Sequence, residues 1–181
     1  MKSQTPALAA LLAPLFLAAC ANATTSQVAS GSAAGRVLPV DANPIVNTST
    51  TESLHITQTA VEDNEDPTTN APISDRLQLR LSNTGQEVLT GFEIYYEMTD
   101  AATGQKEGYY QRLDGLEIAP GEEATIYFDN ETGPGHYPEN EFSLYRSSVN
   151  QVDFAIEVSA VGAKIATATA MKGAGTGEEA D

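Results

Sequence analysis

Between residues 54 and 171, apolar and polar side chains alternate in short runs with a period of two, the signature of strands with one buried face. Leu77, Leu79 and Leu81 alternate with Gln78 and Arg80. Phe92, Ile94, Tyr96 and Met98 alternate with Glu93, Tyr95 and Glu97. Ala124, Ile126 and Phe128 make another run, and Val152, Phe154, Ile156 and Val158 one more, separated by Asp153 and Glu157. Leu54 and Ile56, followed by Val61, keep the period only loosely, and residues 108–113 read as an edge strand. After Gly162, the set Ile165, Thr167, Thr169 and Met171 completes the pattern. Turn chemistry separates the runs: Asn83-Thr84-Gly85, where Asn and Gly both tolerate positive φ, then residues 102–105 and Pro120-Gly121. No sustained helical period competes. The chain therefore predicts an all-β fold: one Ig-like or fibronectin-like antiparallel β-sandwich of seven or eight strands over residues 52–172. The Leu, Ile, Phe and Val sets should form its inner faces.

The flanks differ. Residues 20–51 are Ala, Ser, Thr, Asn and Gly with scattered Val and Pro, and no period persists. Such a segment buries too little apolar area to offset its ordering entropy, so it predicts a disordered tether. Residues 173–181, rich in Gly and Glu, predict a second disordered tail. The net charge of −16 repels nucleic acid and anionic lipid headgroups, which argues against DNA or RNA as partners.

Residues 1–19 form their own unit: Met1 and Lys2, then an apolar run from Ala7 to Ala19 that is too short to span a bilayer. The run ends in Leu17-Ala18-Ala19-Cys20, which resembles the lipobox of bacterial lipoprotein signal peptides. The resemblance implies cleavage before Cys20, lipid on that cysteine and membrane attachment through the lipid. The competing reading is an ordinary secretory signal cut near Ala19-Cys20-Ala21. Ala21 rather than Asp after the cysteine resembles the pattern that permits outer-membrane sorting, so the expected location is extracytoplasmic, at an outer membrane or cell surface. Cys20 is the sole cysteine, so no intramolecular disulfide can support the fold.

The stretch LQLRLSNTGQEVLTGFEIYYEM over residues 77–98 and the Ile118-Ala119-Pro120-Gly121-Glu122 turn resemble extracellular bacterial Ig-like modules, including the adhesion-related CARDB type. Some cellulose-binding sandwich modules share the first feature. The resemblance implies a fold class and an extracellular setting, and transfers no site residues.

Three places invite chemistry. Two acidic loops, Asp63, Glu65 and Asp66 in one and Asp129 with Glu131 in the other, offer oxygens for calcium, although solvated acidic loops are the default in so acidic a chain. Tyr95-Tyr96 and Tyr109-Tyr110 put one ring of each pair outward, so Tyr95 with Tyr109 either offers a platform for a sugar or a protein or, the default reading, packs across strands on a solvated sheet face. The long connection 130–148 carries His136, Tyr137 and Arg146, which either contact a partner or pair with acids and pin a crossover. His55 and His136 are the only histidines, and no nucleophile motif or phosphate-cradling glycine loop occurs. The expectation is a non-enzymatic envelope lipoprotein without a cofactor, acting as a protein-interaction or structural module with an envelope protein partner. The alternative is a carbohydrate- or calcium-binding module.

Overall fold

The alternating runs become β1 (Leu54–Glu62), β2 (Arg76–Asn83), β3 (Glu93–Asp100), β4 (Lys106–Arg112), β5 (Glu123–Phe128), β6 (His136–Tyr137), β7 (Val152–Ala160) and β8 (Ala163–Lys172). One helical turn, α1 (Leu144–Ser147), precedes β7. The computed structural model describes residues 37–62, 68–69 and 76–175. Residues 1–36 with Cys20, then Asp63, Glu65 and Asp66, and residues 176–181 lie outside them. Two four-stranded sheets have the orders β1-β2-β5-β6 and β4-β3-β7-β8. Every pairing is antiparallel except β5 with β6. This is the expected all-β sandwich. Its order follows the Ig-like plan, with β1, β2 and β5 in one sheet facing β3, β4, β7 and β8 in the other.

The core lies where the alternation puts it. Leu79 and Leu81 of β2, Ile94 and Met98 of β3, Ile126 and Phe128 of β5, and Phe154, Ile156 and Val158 of β7 are buried between the sheets. The Tyr96 ring sits among Tyr109, Phe128 and Phe154, with centroids 5.5, 5.7 and 6.3 Å away. The loose period of β1 has a cause: the pairing with β2 shifts between Ile56 and Gln58. The extra residue of that bulge lets Ile56 and Val61 face the same way despite their odd spacing.

Four expectations are corrected. The inner face of β8 is not the Ile165, Thr167, Thr169 and Met171 set. Ala166, Ala168 and Ala170 stand opposite the core residues Val158, Ile156 and Phe154, and Met171 is 54% exposed. A register shift between Val158 and Ala160 sets this phase, and the small alanines fit against the large side chains of β7. Gly85 needs no positive φ, since Asn130 and seven other glycines have it and Gly85 and Asn83 do not. A Cβ on Gly85 would instead lie 2.8 Å from Ser53 Cβ. Asn83, fully buried, donates from Nδ2 to Glu87 O and Ile118 O and accepts from Gly85 N.

The third correction concerns the tether. Residues 37–53 form a strap across the outer face of the β4-β3-β7-β8 sheet. Val40 N donates to Gly108 O at the β4 edge. Asn43 Nδ2 donates to Glu157 Oε2 at 2.8 Å, and Asn47 Nδ2 donates to Ser159 Oγ, Ala160 O and Ala163 O. Lys164 N closes the path by donating to Thr51 O. Ser159 points outward and is still buried, because the strap covers it. Asparagine side chains supply the binding that apolar periodicity would have announced. Fourth, residues 173–175 are not disordered tail, because Gly175 N donates to Val149 O.

Candidate functional site

The crossover from β5 to β7 gathers most of the singled-out side chains at one end of the sandwich. Asn130 has φ 60°, and Gly133 and Gly135 also lie at positive φ, which folds the chain back sharply after β5. The return lays β6 parallel to β5, with His136 beside Tyr127 and Tyr137 beside Phe128. Gly135 tolerates no side chain, since a Cβ would stand 2.9 Å from Thr125 O. The His136 ring stacks on Tyr127 at 5.0 Å with a 19° interplanar angle. Its Nδ1 lies 3.0 and 3.1 Å from the two Asp129 carboxylate oxygens and 3.9 Å from Glu131 Oε2. Asp129 Oδ1 also accepts from Glu131 N. Tyr137 packs on Phe128 at 5.8 Å, and burial pushes its phenol up.

The rest of the crossover is tied into the sandwich by buried polar groups. Glu139 and Arg146 form an ion pair with side chains 5% and 11% exposed. The Arg146 guanidinium lies 5.4 Å over the Tyr145 ring. Asn140 Nδ2 donates to Tyr109 Oη at 3.1 Å, Tyr109 Oη donates to Glu107 Oε2, and Leu144 N donates to the same carboxylate oxygen. Burial, then the Glu107 charge, push the Tyr109 phenol far above its ordinary range. Tyr145 Oη donates to Glu62 O, and Lys172 Nζ donates to Ser148 O. Asp100 accepts from Ser148 Oγ, Asn150 Nδ2 and the amides of Ala102 and Thr103. The donor from Ser148, followed by those from Asn150 and Thr103, holds its carboxyl well below the usual carboxylate range. A cavity of about 10 Å³ remains beneath the crossover, room for nothing larger than a water.

This geometry sorts the sequence candidates. Of the two readings of the crossover, pairing with acids is the one observed: His136 meets Asp129, and Arg146 meets Glu139. Arg146 is thereby corrected from a contact residue to a buried pin. Tyr109 is corrected as well, being fully buried. In the β3–β4 register Tyr95 faces Tyr110, and Tyr96 faces Tyr109. Residues directly opposite share a face, so the outward ring beside Tyr95 is Tyr110. The Tyr95 ring lies over Gly108, whose added Cβ would come 2.6 Å from Tyr95 Oη. Tyr110 Oη donates to Glu93, and that bond is the main cause raising its pKa. Asp129 and Glu131 converge with His136; Asp63, Glu65 and Asp66 lie outside the described residues.

No family model matches this chain, and no curated protein is recognisably similar to it. The opposite end of the sandwich holds what sequence reasoning missed: Val46 of the strap is 89% exposed, and Val161 at the β7–β8 turn is 71% exposed. Both border a shallow groove of about 220 Å³ lined also by Thr48, Ser49, Gly91 and Glu93. Val88, 50% exposed, lies two residues from Thr90, whose carbonyl accepts Val161 N. The signal for these residues was weak, because an isolated valine in a turn or a polar stretch has no periodic partner.

Proposed function

We propose that this protein is a lipid-anchored, extracytoplasmic module of the cell envelope that works by docking a protein partner. The lipobox-like Leu17-Ala18-Ala19-Cys20 supports the anchor and the compartment. The observation that carries the docking is the pair Val46 and Val161, which stay in water beside one groove although the fold has an ordered strap and turn around them. Beside them lie the polar Thr48, Ser49 and Glu93, and a partner that covers the two valines would gain by removing their apolar surface from water. Acidic surroundings keep the uncovered form soluble, since the chain carries a net charge of −16.

In-cell crosslinking and pull-down of the full chain tests this, with Cys20→Ser as the unanchored control and Val161→Asp as the surface variant. The expected result is one stoichiometric partner, lost with Val161→Asp while the thermal unfolding curve is unchanged. A partner captured equally by wild type and Val161→Asp would refute the surface, and no stoichiometric partner at all would refute the docking role.

A further inference from the structure

We propose that Asp129, Glu131 and His136 form a binding site for one divalent transition-metal ion of the zinc class, independent of the docking surface at the other end. One carboxylate oxygen from each acid and one ring nitrogen of the histidine lie within 4.8 Å of one another. Ions of this class bind N and O donors at about 2.0–2.2 Å, so two ligands of one ion stand about 2.8–3.6 Å apart at octahedral or tetrahedral angles. The Asp129–His136 separation of 3.0 Å already falls in that range. Glu131, 3.9 Å from His136 Nδ1 and within 4.8 Å of the Asp129 oxygen, has to swing inward to complete the set, and its side chain, 64% exposed, has the freedom to do so.

Two of the three donors are held before any ion arrives. Asp129 directly follows the last residue of β5, its side chain 5% exposed, and His136 is locked by its register against Tyr127 and by the stack on that ring. Charge points the same way. Among the described residues neither Asp129 nor Glu131 forms an ion pair with a lysine or arginine; the neighbouring Arg76 is paired with Glu62. A simple Asp–His hydrogen bond accounts for Asp129 and His136 and leaves Glu131 bringing a second negative charge to the same nitrogen. A divalent cation neutralises both carboxylates at once. The donor set also selects the ion. Calcium takes six to eight oxygens, whereas imidazole with carboxylates suits zinc, nickel or copper, so the nitrogen turns the site away from calcium. Three protein ligands leave a fourth position for water or for an incoming side chain.

The test is calorimetric titration of the full chain, stripped of metal with chelator and held in detergent, with zinc chloride and then calcium chloride. One equivalent of zinc should bind, with affinity reduced at least about tenfold by Glu131→Gln and more by His136→Ala. Millimolar calcium should not displace it. Glu131→Gln alters an exposed side chain and should leave metal-free unfolding unchanged, so it reads the site even if His136→Ala loosens β6. Absence of saturable one-to-one binding, equal zinc affinity in wild type and Glu131→Gln, or displacement by stoichiometric calcium would each overturn the proposal.

Discussion

Single side chains decide local geometry here through contacts that residue type alone conceals. Gly85 is one case. Its backbone is ordinary, but a Cβ would press on Ser53 Cβ at 2.8 Å and on Asn83 Oδ1 at 3.2 Å. Gly85→Ala should therefore lower stability by about 1–3 kcal/mol through overpacking. Ser53→Gly in the same chain should recover most of the loss in urea unfolding; an additive double mutant would show that the crowding is not the cause. Asp100 is a second case. Its native pKa lies below the unfolded value, so its contribution is present above about pH 4 and is lost as acid protonates the carboxylate. Asp100→Asn should flatten the dependence of the urea midpoint on pH between about pH 6 and about pH 3, since the amide has no proton to gain there. An unchanged acid slope would assign the acid sensitivity to other carboxylates.

At the scale of elements, the strap is the feature with the most to say. Asn47 donates to three acceptors on β7 and β8, and Asn43 reaches Glu157, so residues 37–53 belong to the folded module. Amides of Val40 and Ser49 should exchange with deuterium slowly, and Asn47→Ala should speed exchange across the strap while leaving β2 and β5 protected. Fast exchange in the unmodified chain would mean that the strap does not hold. The elements that were legible from sequence are those where contrast along the chain is high. In β2 three leucines alternate with Gln and Arg, and in β3 Ile94, Tyr96 and Met98 alternate with Glu93, Tyr95 and Glu97, so only one phase buries the apolar set. In β8 the contrast fails: Ala166, Ala168 and Ala170 compete with Ile165 and Met171, and the choice falls to the register shift after Val158. The strap was illegible for a related reason, because asparagine bonds to distant backbone leave no period. At the crossover, the acid and histidine partners were legible as types, but their pairing required the parallel return of β6.

The whole molecule has two unlike ends. One end carries the crossover, its buried ion pair and the acid–histidine trio; the other exposes Val46 and Val161. A partner docked on Val46 and Val161 would leave the proposed ion site uncovered, so zinc should leave the crosslinking yield of wild type unaltered. The strap adds a mechanical property to this arrangement. Chain entering from the N-terminal side meets the β4 edge at Val40, crosses to the β7–β8 turn at Asn47, and only then becomes β1. A pull from that direction loads the Val40–Gly108 bond first and the Asn43 and Asn47 bonds in turn, one at a time. Peeled in that order, the strap would let go bond by bond before load reached the ladder between β1 and β2.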